Sequence, residues 1–284
     1  MCRLLAYKGT PILIDNLLYK PKNSLVNQSL HAREIEEPLN GDGFGVGWYV
    51  PEVNVEPINF VSVNPAWSNR NLRSMATKIK TDCMVAHVRA ASVGEVSESN
   101  CHPFQYNNLL MAHNGGIEEF GKVKRKIREP LSNELYNWIK GQTDSEHIFA
   151  YLLNYLLKNH KTIGTDEVAN AFEHTFTDVK KLMSDAGITE PAYLNMVVTN
   201  GLFIVATRWV SDPKEEALTM YHSEGSRYVV EDGVTRLEAP EDDDHAVLVV
   251  SEKLSDGPEW TLIPNNHLVM VEQNLNVRVR PIKA

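Results

Sequence analysis

Short apolar runs separated by turn-forming residues open the chain. They predict strands at Cys2–Tyr7, Phe44–Tyr49, Met84–Arg89 and Leu109–His113. Leu72, Met75, Ala76 and Ile79 recur at helical spacing and predict a helix near Trp67–Ile79. The period changes over residues 118–187. There Phe149, Leu152, Leu153 and Leu156 form one apolar face, and Ala169, Phe172, Phe176, Val179 and Leu182–Met183 form another. From Tyr193 the strand pattern returns, at Leu194–Thr199, Leu202–Trp209, Leu218–His222, Val247–Val250 and Leu268–Val271. Strands, then helices, then strands predict one α+β domain over residues 1–284, with helices packed on sheets. The acidic stretch Glu238–Asp244, which contains Pro240, reads as a solvated loop.

Composition narrows the partners. Of 284 residues, 43% are apolar and 23% charged, ordinary for a soluble globular protein with an ample core. A net charge of −9 argues against nucleic-acid binding, whose footprint is basic. No run approaches the roughly 18 apolar residues of a membrane helix, and the first residues lack the apolar run of a signal peptide. A cytoplasmic protein without nucleic-acid or membrane partners is expected. Cys2, Cys83 and Cys101 are far apart, odd in number and without a CxxC pair, which fits a reducing compartment better than a disulfide framework. His87, His102 and His113 form no HxH or HExxH pattern, so no metal or organic cofactor is expected.

Four segments carry candidate chemistry, and each also has a plain structural reading. Cys2 is a small apolar residue that opens a strand. Once Met1 is removed it also presents a thiol and an α-amine on one carbon, and the amine, with a pKa of about 7.7–8.0, can take the thiol proton. The glycines of Asn40-Gly41-Asp42-Gly43-Phe44-Gly45-Val46-Gly47 precede a strand rather than a helix, so they do not match a dinucleotide loop. They suit either a tight turn or a backbone that passes close to a site. Arg89, after Ala86-His87-Val88, is a surface residue or the planar partner of a carboxylate. Asn114-Gly115 is a hairpin turn or a pair of donors for one oxyanion. Thr143 with Glu146 is a capping-box pattern, and Asp144 at the first helical turn is a carboxylate that an ammonium could meet. The basic run Lys122-Val123-Lys124-Arg125-Lys126 reads as a solvated helix face, or else as a docking patch for a partner.

Taken together and in order, Met-Cys, the histidine-strand arginine, His102-Pro103, His113-Asn114-Gly115 and Thr143-Asp144-Ser145-Glu146 closely resemble the class II glutamine amidotransferases. That resemblance implies a four-layer α-β-β-α sandwich of the N-terminal-nucleophile hydrolase type. It implies Cys2 as nucleophile and Asn114 with Gly115 as oxyanion hole. It also implies Arg89 on the substrate α-carboxylate and Asp144 on its α-ammonium, with His87 and His113 on the substrate side, orienting loops through hydrogen bonds. Synthase members carry Arg-Gly-x-Asp-Ser where this chain has Asn40-Gly41-Asp42-Gly43-Phe44-Gly45. The chain is more similar to the stand-alone branch, which includes an ergothioneine-pathway amidohydrolase and a fungal glutathione-degrading subunit. The implied reaction is hydrolysis of a γ-glutamyl amide in a small molecule, without a cofactor. The alternatives are a glutaminase subunit that supplies ammonia to a separate protein partner, and a binding module without catalysis.

Overall fold

The chain opens on β1 (Arg3–Leu13), then α1 (Asp15–Leu18), α2 (Leu25–His31), β2 (Phe44–Val50), β3 (Asn54–Ser62), α3 (Arg70–Ala76) and β4 (Lys80–Val88). β5 (Phe104–Tyr106) and β6 (Leu109–Gly116) precede the helical block of α4 (Lys124–Arg128), α5 (Asn133–Trp138), α6 (Asp144–Asn159) and α7 (Thr165–Asp185). Strands return as β7 (Tyr193–Thr199), β8 (Ile204–Arg208), β9 (Tyr221–Gly225), β10 (Arg227–Glu231), β11 (Val234–Glu238) and β12 (Ala246–Val250). The chain ends with β13 (Thr261–Leu262), β14 (His267–Val271) and β15 (Val277–Pro281). This computed structural model describes all residues except 1, 35–37, 92–93, 226, 232–233 and 239–244, and the backbone alone for 227–231 and 234–238. Residues 239–244 of the expected acidic loop therefore lie outside the described residues.

Two large antiparallel sheets form, in the orders β13-β9-β12-β1-β4-β2-β3 and β15-β14-β8-β7-β6-β5, and β10 pairs with β11 in a separate two-stranded sheet. Side chains alternate across a strand, and that alternation sorts β1 into two cores. Leu5 and Tyr7 join Leu17, Leu25 and Leu72 of the first three helices. Leu4 and Ala6 turn inward to Ala112, Val197 and Ala206 of the second sheet. The outer face of that second sheet, through Met111, Met196 and Val205, packs on Ile148, Phe149, Phe172 and Phe176 of α6 and α7. The order is helices, sheet, sheet, helices: a four-layer sandwich. Each fully buried leucine or phenylalanine contributes about 1.5–3 kcal/mol to it.

Several elements differ from expectation. The helix near Trp67–Ile79 is shorter, because Asn69 caps α3 by accepting from Leu72 N at 2.8 Å and the helix closes at Ala76. Ile79 instead receives Ile14 N at its carbonyl, at 3.1 Å, and leads into β4. The strand expected at Leu218–His222 forms three residues later, over Tyr221–Gly225. Leu218 gives its carbonyl to Asn195 Nδ2 at 2.8 Å and to Arg208 Nε at 2.9 Å, which removes it from a strand ladder. In the basic run, Lys122 and Lys126 pair with Glu119 and Glu129 in solvent-exposed contacts.

On the inward side of β2 stand Gly45, Gly47 and Tyr49. A Cβ on Gly45 would run into the His102 carbonyl oxygen, and one on Gly47 would lie 2.5 Å from Leu110 Cδ1. The missing side chains let β2 approach the second sheet closely. The glycine-rich segment is thus strand rather than loop from Phe44 onward.

Candidate active site

Register brings the candidate groups to one end of the sandwich. Arg3 and Phe44 both face Val88 across antiparallel pairs, so Cys2, Gly43 and Arg89 lie just beyond those ends at one edge of the first sheet. Cys2 Sγ donates to Ala90 O at 3.5 Å. Burial raises the thiol above its ordinary pKa, against a downward pull from the positive charge of Arg89. The resting sulfur is a thiol and needs a base before it can attack.

Arg89 is 3% exposed. Its Nη1 donates to Glu95 O at 3.3 Å, its amide to Gly43 O at 2.8 Å, and its carbonyl accepts from Asp42 N at 2.9 Å. Gly43 takes φ +117°, and a Cβ there would meet Cys101 Sγ at 2.6 Å and Ser62 O at 2.9 Å. Both space and conformation require glycine. The Asn-Gly-Asp-Gly segment is therefore a tight turn and a close approach at once.

From the second sheet, β6 presents Asn114 and Gly115. Asn114 is fully buried, yet among the described residues neither its Nδ2 nor its Oδ1 has a hydrogen-bond partner. Its cross-strand neighbour Asn195, equally buried, donates to Leu218 O at 2.8 Å and accepts from Trp209 N at 3.1 Å. One asparagine of the pair is used structurally and the other is held open, which is costly unless a ligand meets it. Gly115 has φ +133°, and a Cβ would sit on the Tyr193 carbonyl oxygen.

Asp144 opens α6. Thr143 caps the helix by accepting from Glu146 N at 3.3 Å. The reciprocal half of the expected capping box is absent: Glu146 accepts instead from Lys140 N at 2.8 Å and Gly141 N at 2.7 Å. It thereby anchors the loop before the helix. Asp144, 3% exposed, accepts from Ile117 N at 2.8 Å and from its neighbour Ser145 N at 2.7 Å. Among the described residues no lysine, arginine or histidine nitrogen forms an ion pair with it. A bridge of polar groups joins this end to Arg89. Asn100 Nδ2 donates to Glu95 O at 2.8 Å, its Oδ1 accepts from Gln142 N at 2.8 Å, and Gln142 Oε1 accepts from Glu95 N at 3.1 Å.

The three histidines are buried together. The His87 and His102 rings lie 4.2 Å apart, and His102 and His113 6.5 Å apart. His87 Nε2 donates to His113 O at 3.1 Å. Burial pushes His87 down to about 3 and His102 well below its ordinary value; burial also lowers His113, against Asp144. The His87 and His102 rings stay neutral in the folded protein, while the unfolded chain takes up their protons near pH 6.5. Their contribution to stability is full above that pH and is lost as pH falls, by about 1.4 kcal/mol per pH unit per ring. The urea midpoint should drop steeply from about pH 6.5 downward; a midpoint flat to about pH 5 would contradict neutral buried rings.

Cys2 and Arg89 thus lie just past the ends of β1 and β4, Asn114 and Gly115 lie on β6, which β4 meets through the His87–His113 bond, and Asp144 opens α6, which is tied to the end of β6 through Ile117 N. Asn100, Glu95 and Ser145 were not assigned a role from sequence. Asn100 stands in the Asn100-Cys101-His102-Pro103 segment, but only tertiary contact shows what its amide bridges.

Residues 1–281 match the family described as glutamine amidotransferases class-II. The chain is 35% identical over 302 residues to the protein named "Probable glutamine amidotransferase DUG3" of Saccharomyces cerevisiae, across 99% of this chain and 84% of that one. It is 27% identical over 284 residues to the gamma-glutamyl-hercynylcysteine sulfoxide hydrolase of Mycolicibacterium smegmatis, across 99% and 100%. Among solved structures it is similar to a glutamine aminotransferase class-II domain protein from Silicibacter pomeroyi, with a TM-score of 0.68 at 23% identity, covering 99% of this chain and 100% of that one.

Proposed function

Because the chain belongs to the class II glutamine amidotransferases, we propose that it is an amidohydrolase that cleaves a γ-glutamyl amide through a thioester on Cys2. The observation that carries this reading is Asn114, buried with both polar atoms unpartnered among the described residues, on the strand that β4 meets through the His87–His113 hydrogen bond. The names of the relatives, one a γ-glutamyl hydrolase, support the substrate class.

With Met1 removed, the Cys2 amine takes the thiol proton and the sulfur attacks the side-chain carbonyl carbon. Charge moves to the carbonyl oxygen, where Asn114 Nδ2 and the Gly115 amide donate to it. The C–N bond breaks as the amine returns the proton to the leaving nitrogen. Water then attacks the γ-glutamyl thioester, releasing glutamate and restoring the thiol. Arg89 holds the α-carboxylate and Asp144 the α-ammonium; the two nearly fully buried charges match the two charges of the glutamyl head. The free thiols Cys2, Cys83 and Cys101 suit the reducing cytoplasm.

Glutamate release from glutamine, glutathione, γ-glutamylcysteine and γ-glutamyl sulfoxides tests the reading, and no release from any of them would sink it. Turnover of free glutamine only in the presence of a separate synthase would point to an ammonia-supplying subunit instead. Truncating either clamp residue leaves a desolvated ligand charge, at roughly 2–5 kcal/mol. Arg89→Ala and Asp144→Ala should each lower kcat/KM by at least ~30-fold, and Arg89→Lys should recover little, since an ammonium cannot form the planar fork. N-acetylglutamine turned over as well as glutamine would remove the role of Asp144.

A further inference from the structure

His113 is hydrogen-bonded to β4 ahead of Arg89, to α6 beside Asp144 and to β7 at Tyr193, and its bonding pattern fixes a proton that matters to Asp144. His113 Nε2 lies 3.1 Å from Tyr193 O, and Nδ1 lies 2.8 Å from Ser145 Oγ. Its own carbonyl accepts from His87 Nε2 at 3.1 Å, two residues before Arg89. A carbonyl oxygen only accepts, so His113 Nε2 carries the ring proton and Nδ1 is a bare acceptor. The single hydroxyl proton of Ser145 is then donated to Nδ1. It has a second possible acceptor, Asp144 Oδ1, at the longer distance of 3.3 Å.

We propose that His113 is a positioning residue, held as the Nε2–H tautomer by the Tyr193 carbonyl, which draws the Ser145 proton away from Asp144 and leaves that carboxylate open to a ligand ammonium. A carboxylate offers about four lone-pair positions. Two are taken by Ile117 N and Ser145 N, and both bonds come from backbone that no ligand displaces. In the opposite tautomer His113 Nδ1–H would donate to Ser145 Oγ, and the hydroxyl would turn to Asp144 Oδ1. The ammonium would then have to compete for that oxygen. The inference rests on the reading of Asp144 as the ammonium holder. It assigns to Ser145 a role that is not structural alone: a hydroxyl that inhibits binding unless His113 engages it.

This produces a signature that simple loss of packing does not. His113→Phe should weaken binding of L-glutamate, measured calorimetrically on the full chain, by about 10-fold, the scale of one misdirected hydrogen bond to a charged group. Adding Ser145→Ala to that variant should restore at least about 3-fold, because the freed hydroxyl is what blocks Asp144. An independent reading uses the wild-type protein labelled with ¹⁵N-histidine at neutral pH, where His113 should show a protonated Nε2 and an unprotonated Nδ1. A double variant no better than His113→Phe, or a wild-type His113 protonated at Nδ1, would overturn the proposal. Should His113→Phe fail to fold, the wild-type tautomer decides. Wild-type protein that binds no L-glutamate would instead sink the γ-glutamyl reading, and the tautomer would still settle the bonding pattern.

Discussion

Cys2→Ala is expected to lower glutamate release by about 10⁴-fold or more, the scale seen when a nucleophile is deleted from a site that keeps its oxyanion donors. The fold should not follow. Among the described residues Cys2 Sγ makes one hydrogen bond, to Ala90 O at 3.5 Å, and the start of the chain is held by other groups. Arg3 Nη1 donates to Cys2 O at 3.0 Å, and Arg3 Nε pairs with Glu252 at 3.0 Å, both side chains 1% exposed. Glu252 is fixed in turn by Asn23 Nδ2 at 2.9 Å and by the Arg33 amide. The melting temperature of Cys2→Ala should therefore match that of the parent. The same logic covers a retained Met1: without a free amine on Cys2, the half-buried thiol, raised by its surroundings, has no base. Intact-mass measurement of active material should show Met1 absent. Full activity from Met1-bearing protein would defeat the N-terminal-nucleophile mechanism.

The layers were legible because their signals are periodic. The faces expected at Phe149–Leu156 and Ala169–Met183 are buried in α6 and α7, and the strands at Phe44, Met84, Leu109, Val247 and Leu268 form within a few residues of expectation. Elements without such a signal were not foreseen. α2 is seven residues long and buries Gln28 and Ser29 along with Leu25 and Val26, so no apolar face announces it. β3 lies at a sheet edge and exposes Val55 and Ile58, which blurs the alternation. At the site, residue types were readable, because an asparagine before a glycine or a threonine before an acidic turn has a restricted set of uses. Partners were not. That Glu146 would reach Lys140 and Gly141 rather than complete the capping box depends on how the preceding loop folds back. That Asn195 would satisfy itself and Asn114 would not depends on which carbonyls lie opposite each, and Leu218 O comes from 23 residues away.

That contrast leads to an expected separation of activity from stability at Asn114. Among the described residues its amide meets no hydrogen-bond partner, so the fold gains nothing from its polarity and carries the cost of desolvating it. Asn114→Leu replaces the amide with an apolar side chain of similar size, and should leave the melting temperature unchanged or raise it. Activity should go the other way. One oxyanion donor is worth about 10²–10³ in kcat, and KM should change little, because the donor acts most strongly after charge has reached the oxygen. Asn114→Ala should show the same loss in kcat, with a modest stability cost from the cavity it leaves. Asn195→Leu is the control: it strands Trp209 N, while Leu218 O keeps Arg208 Nε, and it should destabilise by about 1–3 kcal/mol for the buried group left unpaired. A stable, inactive Asn114→Leu beside an unstable Asn195→Leu would assign Asn114 to the chemistry. An Asn114→Leu protein that keeps its kcat, or that loses stability as Asn195→Leu does, would return Asn114 to an ordinary strand position, and the oxyanion would need another donor beside Gly115.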